Sequence, residues 1–299
     1  LNSRDVINGM LRFFGTSGSL KKLDNSLKVQ NPGAVRDKVS NPSEIEVALQ
    51  KHSQVDISLR PEFEPPRAAM VPTYVAAVHA PVLYMPLKSG LETAVVDWLA
   101  GLDGADDAQL KRDFNQRSLK QWKRSHPGHL SFTVVRHPVA RAHSAFCKHF
   151  LGTGAIQFTR ILSHLKQRYG LAVPEDGVDL HYDLYAHRRA FMVFLAFLQE
   201  NLSGQTAIRV DGAWCSQSEA LRGFGGFAFP DRIFREDDLT DDLSALAAKL
   251  GYADAPRMGA IAQDTPFRLP DVYTPEIEAR VSEIYQKDFM MFGFEPWSQ

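Results

Sequence analysis

The chain has 299 residues, 44% of them hydrophobic, enough to bury a full core as one large domain or a domain with an appendage. Its formal net charge of −1 and pI near 6.9 exclude a nucleic-acid binder that works through a broadly basic surface, because affinity for a phosphate backbone needs many clustered cations. Two cysteines, Cys147 and Cys215, are too few for a disulfide framework and show no metal-ligand spacing, so both read as ordinary thiols of a reducing, cytoplasmic compartment.

The longest apolar stretch, 191–198, is far too short to span a bilayer. No charged-then-apolar leader opens the chain, although a start at Leu1 rather than Met leaves room for a leader or anchor upstream. Asn201-Leu202-Ser203 has the form of a glycosylation sequon, a triplet common by chance. Residues 1–76 carry scattered charge and the breakers Asn31-Pro32-Gly33, Asn41-Pro42 and Pro65-Pro66, with only short apolar groups. They read as an N-terminal extension, an arm that wraps its own domain or pairs with a partner subunit in a homo-oligomer. Residues 77–299 read as the catalytic domain.

A short apolar run at 81–85 is followed by Leu91, Val95, Trp98, Leu99 and Leu102 at helical spacing, which predicts strand, loop, helix. The same pattern recurs where 130–135 ends at Arg136 and Pro138 occupies a first helical position, with Val139, Ala142, Phe146 and His149 on one face. Helices are predicted near 155–169, with Gly170 as a stop, and near 185–202, with Gly204 as a stop; the second is apolar enough to be central. Residues 208–210 and 232–234 are candidate short strands. Thr240 is expected to cap a helix buried through Leu243, Leu246 and Leu250, and a last helix from Thr274-Pro275-Glu276 to Gly293 buries Ile277, Val281, Ile284, Tyr285 and Phe289. Strands separated by helices imply an α/β fold with a parallel sheet flanked by helices on both faces.

In such a sheet, ligands bind beyond the carboxyl ends of the strands, where helix N-termini present N–H groups and positive dipole to an anion. Lys88-Ser89-Gly90 lies in such a place, but a Walker loop would need Gly-Lys-Ser/Thr behind a glycine-rich run, and here the lysine comes first. Arg136 sits at the other strand end, and Ser144 lies about a turn and a half into the next helix, so both reach one phosphate. The plain alternative for this pair is an arginine bound to a neighbouring carboxylate and a serine facing solvent.

These segments resemble the sulfotransferases that use 3′-phosphoadenosine 5′-phosphosulfate (PAPS), of the type acting on carbohydrate hydroxyls, nodulation-type bacterial members included. Pro86-Leu87-Lys88-Ser89-Gly90 resembles the 5′-phosphosulfate loop. The segment from Phe132-Thr133-Val134-Val135-Arg136-His137-Pro138 through Arg141 and Ser144 to Phe146 resembles the 3′-phosphate segment more specifically. Asp211 through Trp214 to Gln217 resembles the element Asp-x-His-Trp-x-Pro-Gln, Phe234 to Leu239 a Tyr-Glu-Asp-Leu strand end, and Tyr285-Gln286-Lys287-Asp288-Phe289 with Phe292-Gly293-Phe294 the terminal motif. The likeness runs from about residue 80 to 294 and implies a P-loop-like sulfotransferase fold. Ala213 and Ser216 stand where the family has histidine and proline, so no role passes to that histidine.

The resemblance implies transfer of a sulfuryl group from PAPS to a hydroxyl of a saccharide or other small acceptor. Such in-line displacement is catalysed mainly by positioning and electrostatic stabilisation. Lys88 would neutralise the leaving oxygen, Ser89, Gly90, Leu91, Glu92 and Thr93 would hold the 5′-phosphosulfate, and Arg136 with Ser144 would hold the 3′-phosphate. No metal is required, and no ligand cluster suggests one. Glu92 is the first candidate for the general base and Asp211 the second, against helix-start and turn roles respectively. His126 and His129 fall at the wrong edge of the sheet; His181 and His187 have no placement. Arg141 is expected to pair with phosphate or, preferably, with Glu236, while Trp214 and Gln217 would line the acceptor cleft. The rival readings are a nucleoside or sugar kinase with a degenerate phosphate loop, using ATP and magnesium, and a noncatalytic nucleotide- or glycan-binding module.

Overall fold

The structure, a computed structural model, describes residues 64–104, 106–151, 158–174, 178, 181–252, 254–259 and 265–297, with 8, 11, 18, 19 and 21 nearer the N-terminus. The chain divides into two compact units, Leu1–Pro61 and Glu62–Gln299. The expectation that an arm wraps or pairs falls largely on the first unit and lies outside the described residues. The second unit begins earlier than residue 77, because Glu64 and Arg67 hydrogen-bond to the 210–216 segment and Val75 joins the sheet.

Among the described residues, four strands lie side by side in chain order, β1 (Val75–Ala76), β2 (Val82–Tyr84), β3 (Leu130–Val135) and β4 (Arg232–Arg235). β1 is antiparallel to β2, and the other pairs are parallel. The helices of seven residues or more among the described residues are α1 (Glu92–Asp103), α2 (Gln116–Ser125), α3 (Pro138–Phe146), α4 (Thr159–Tyr169), α5 (Leu184–Leu202), α6 (Gln217–Phe224), α7 (Leu239–Lys249), α8 (Pro275–Ile284) and α9 (Gln286–Phe292). Because side chains alternate along a strand, Val82, Tyr84, Phe132, Val134 and Phe234 pack against α1 and α7. Leu83, Met85 and Val135 pack on the other face against α2 and α6. Burial on both faces explains why β2 is a continuous apolar run, while the two polar residues of β3, Ser131 and Thr133, are buried with their hydroxyls donating to Asp231 and to the Met85 carbonyl. A third core joins α3, α5 and α8 around Phe146, Phe191, Phe194 and Val281.

Local signals place most boundaries. His137 Nδ1 accepts the Val139 N–H ahead of Pro138 at the start of α3, Asp183 caps α5, and Thr274 caps α8. Gly170 and Gly293 close α4 and α9 in the left-handed region. Three expectations are corrected. Residues 208–210 form no strand, since the Ile208 carbonyl is taken by Asn201 Nδ2 and the Val210 carbonyl by Arg67. Thr240 lies inside the first turn of α7, whose N-cap is Asp238. The final helix breaks at Tyr285 into α8 and α9. Neither α2 nor α6 was expected.

Trp214 does not line a cleft. It is 0% exposed, surrounded by Phe150, Phe158, Phe194 and Phe197, and its indole N–H donates to Asn201 Oδ1 at 2.9 Å. Trp214→Ala is therefore expected to lower stability by roughly 3–5 kcal/mol, read as a lower urea midpoint. A change in acceptor KM with an unchanged midpoint would contradict this placement.

Candidate functional site: two loops at the carboxyl edge of the sheet

Strand register sets the site. Tyr84 on β2 is opposite Phe132 on β3, so Lys88 and Arg136 each fall four residues beyond a paired position. They leave parallel neighbours about 4.8 Å apart in the hydrogen-bonding direction. The Met85 N–H donates to the Phe132 carbonyl at 2.8 Å and Thr133 Oγ1 to the Met85 carbonyl at 2.7 Å, which fixes the two strand ends together.

The first loop turns sharply into α1. Ser89 has φ 62°, unusual for a residue with a side chain, and the Gly90 N–H donates to the Leu87 carbonyl at 3.1 Å. A Cβ at residue 90 would sit 2.9 Å from that same carbonyl oxygen, so the turn requires glycine there. Ser89 Oγ is buried without a hydrogen-bond partner among the described residues. Leu91 is the N-cap of α1 and supplies no side-chain cap, leaving the first N–H groups of the helix to other acceptors. Glu92 begins α1 and Thr93 is exposed.

Lys88 Nζ lies 3.6 Å from Asp211 Oδ1, with both side chains partly exposed. Asp211 also accepts the Ala213 N–H at 2.9 Å, so it is a turn residue and a lysine partner together. Lys88 and Glu92 line one cavity of about 120 Å³ with Arg67, Gly212 and Phe224. Glu92 makes no hydrogen bond or ion pair with the described residues. His149, expected only to face the core, stands in a π turn (Cys147–Leu151) after α3. Burial pushes its pKa down to about 4, and it feels the charges of Lys148, Asp211 and Lys88. It is a neutral imidazole at the site's edge that periodicity alone assigned to the core.

At the second loop, Arg136 Nε donates to Glu236 Oε2 at 2.9 Å, each side chain 17% exposed. Burial raises the Glu236 pKa while the Arg136 charge and hydrogen bond oppose the rise. Ser144 is buried in α3. Arg136, rather than Arg141, thus holds Glu236, which corrects the preferred expectation for Arg141. Arg141 is 2% exposed and donates to three backbone carbonyls, Lys88 at 3.1 Å, Cys215 at 2.6 Å and Gly212 at 2.9 Å.

Gln217 is 0% exposed and lines no open cleft. Its Oε1 accepts the Arg136 N–H at 2.9 Å and its Nε2 donates to the Arg136 carbonyl at 2.8 Å, clamping the backbone that carries the guanidinium. Two carboxylates cap α6 beside it. Asp288 accepts the Gln217 and Ser218 N–H groups, and Glu64 accepts the Ser216 N–H and hydroxyl.

A mostly parallel sheet with two strand-to-helix loops opening at one edge, each bearing a cation, is the place where α/β folds of this kind collect ligands. A model of the sulfotransferase family matches residues 103–295, and the chain belongs to that family. The matched stretch holds the Arg136 segment and everything after it; the Lys88 loop precedes it. No curated protein and no solved structure matches the chain. Among the described residues, no helix is long and apolar enough to cross a membrane.

Burial raises the Glu64 pKa from 4.5 to about 7, against the hydrogen bonds from Ser216. A carboxyl group whose folded pKa lies above its unfolded value favours folding when protonated; this stability is full below about 4.5 and is lost as pH rises through about 7. Glu64→Gln should therefore gain stability relative to the parent across that window, measured by thermal melts at a series of pH values. A stability difference independent of pH would contradict the assignment.

Proposed function

We propose that the protein transfers a sulfuryl group from PAPS to a hydroxyl of a carbohydrate-type acceptor, with the 5′-phosphosulfate in the Lys88 loop and the 3′-phosphate at Arg136 and Ser144. The observation that carries the reading is the parallel register of β2 and β3, which brings the loops that follow them, one with Lys88 and the other with Arg136, to one edge of the sheet and suits the two phosphate ends of one nucleotide. The partnerless Ser89 hydroxyl and the uncapped start of α1 offer donors for phosphate oxygens. Glu236 would hold the Arg136 guanidinium in place through Nε, leaving its terminal nitrogens for the 3′-phosphate.

In this reading the Lys88 ammonium stabilises charge that builds on the bridging oxygen as the sulfuryl group departs, and Asp211 steers the ammonium. Glu92, with no partner among the described residues, takes the acceptor proton. Asp211 and His149 are the competing bases, since each lies near Lys88. The thiols Cys147 and Cys215 are buried and in no disulfide, which supports the cytoplasmic reading. The kinase reading lacks its Gly-Lys-Ser/Thr loop, and membership of the sulfotransferase family weighs against it.

Adenosine 3′,5′-bisphosphate at about 100 times its Kd should stabilise the protein by about 2.7 kcal/mol without magnesium. Stabilisation by ATP that depends on magnesium would favour the kinase instead. With PAPS and a panel of glycans, labelled sulfate should appear on an acceptor, and Lys88→Ala should lower kcat by about 10²–10³-fold or more with modest loss of nucleotide affinity. Unchanged turnover would remove Lys88 from the chemistry.

The base is read from pH–rate profiles. Glu92→Gln should lower kcat by about 10²–10⁴-fold and abolish the acidic limb. Retention of that limb in Glu92→Gln, with its loss in Asp211→Asn or His149→Gln, would transfer the role.

A further inference from the structure

Away from both loops, three side chains with metal-binding atoms meet in the core. His143 Nε2 lies 2.9 Å from His187 Nε2 and 3.4 Å from Cys147 Sγ, and the three ligand atoms all lie within 4.8 Å of one another. The residues are 2%, 0% and 4% exposed respectively. His143 and Cys147 share a helix face at a four-residue spacing, and the backbone widens into its π turn at Cys147, a distortion frequent at functional sites. His187 comes from α5, far along the chain. The expectation that the cysteines show no ligand spacing therefore fails in three dimensions.

We propose that His143, Cys147 and His187 bind a zinc ion that fastens α3 to α5. Tetrahedral zinc, with nitrogen at 2.0–2.1 Å and sulfur near 2.3 Å, separates two nitrogens by about 3.3 Å and nitrogen from sulfur by about 3.6 Å. The two spacings from His143 need to open by only a few tenths of an ångström, and Cys147 Sγ and His187 Nε2 lie within 4.8 Å of each other. Without an ion, the two imidazoles share one proton between their Nε2 atoms, and His187 Nδ1 stays buried with no partner among the described residues.

Each Nε2 can present a lone pair to the ion with the ring proton carried on Nδ1. On binding, the Cys147 thiol gives its proton to solvent and the thiolate bonds to Zn²⁺; no electron transfer is involved. Phe191 against His143 and Phe267 against His187 wall the cluster from water. Such an ion enters as the core forms rather than through an open mouth.

The test is elemental analysis of the full chain produced with zinc supplied and dialysed against chelator. About one zinc per chain is expected, falling to background in Cys147→Ser and in His187→Ala. Replacement by Co²⁺ during refolding should give a thiolate-to-cobalt charge-transfer band in the parent chain, a readout that needs neither variant to fold and no sulfuryl transfer. A parent chain without stoichiometric zinc, a missing cobalt band, or zinc retained in Cys147→Ser would each overturn the proposal.

Discussion

The site rests on the Arg141 guanidinium. Buried beneath the first loop, it donates to the carbonyls of Lys88, Gly212 and Cys215, so the Lys88 loop and the 211–217 turn share one rigid donor. A planar group with fixed donors can satisfy three carbonyls on separate segments; a lysine ammonium on a flexible stem could not do so in the same place. The buried charge is eased by Asp288, which is fully buried and feels Arg141 directly.

Around that centre, the 211–218 segment is fastened from several directions. Tyr285 donates its hydroxyl to the Trp214 carbonyl at 2.7 Å, Asp288 and Glu64 take the N–H groups at the start of α6, and Gln217 holds the Arg136 backbone. The segment therefore reaches both loops, through Arg141 to Lys88 and through Gln217 to Arg136. A reaction that depends on placing charge against a leaving group gains more from such rigidity than from additional reactive side chains.

The strands, the helices that follow them and the parallel pairing were legible because apolar runs of strand length alternate with helical stripes, and many boundaries carry a proline, glycine or capping residue. The placement of Lys88 and Arg136 beyond the ends of β2 and β3 was legible for the same reason, and strand ends are where this architecture collects anions. What stayed hidden depends on partners that sequence does not display. Arg141 bonds to backbone carbonyls, which have no residue signature, so a side-chain partner was expected instead. Trp214 and Gln217 were assigned to a cleft from a motif whose structural work is done in the core. α2 buries only Leu119 and Trp122 within a strongly charged helix, too few apolar positions to announce it. His143 and Cys147 are four apart, but the third member of the cluster arrives from α5 through tertiary packing alone.

The central claim is that two phosphate cradles, built by adjoining parallel strands, hold opposite ends of one nucleotide. A crystal structure with adenosine 3′,5′-bisphosphate tests it most directly. The 5′-phosphate should lie within hydrogen-bond distance of Lys88 and the N–H groups that begin α1, and the 3′-phosphate should contact Arg136 and Ser144. A nucleotide bound with its 3′-phosphate away from Arg136, or outside the Lys88 loop altogether, would contradict the account.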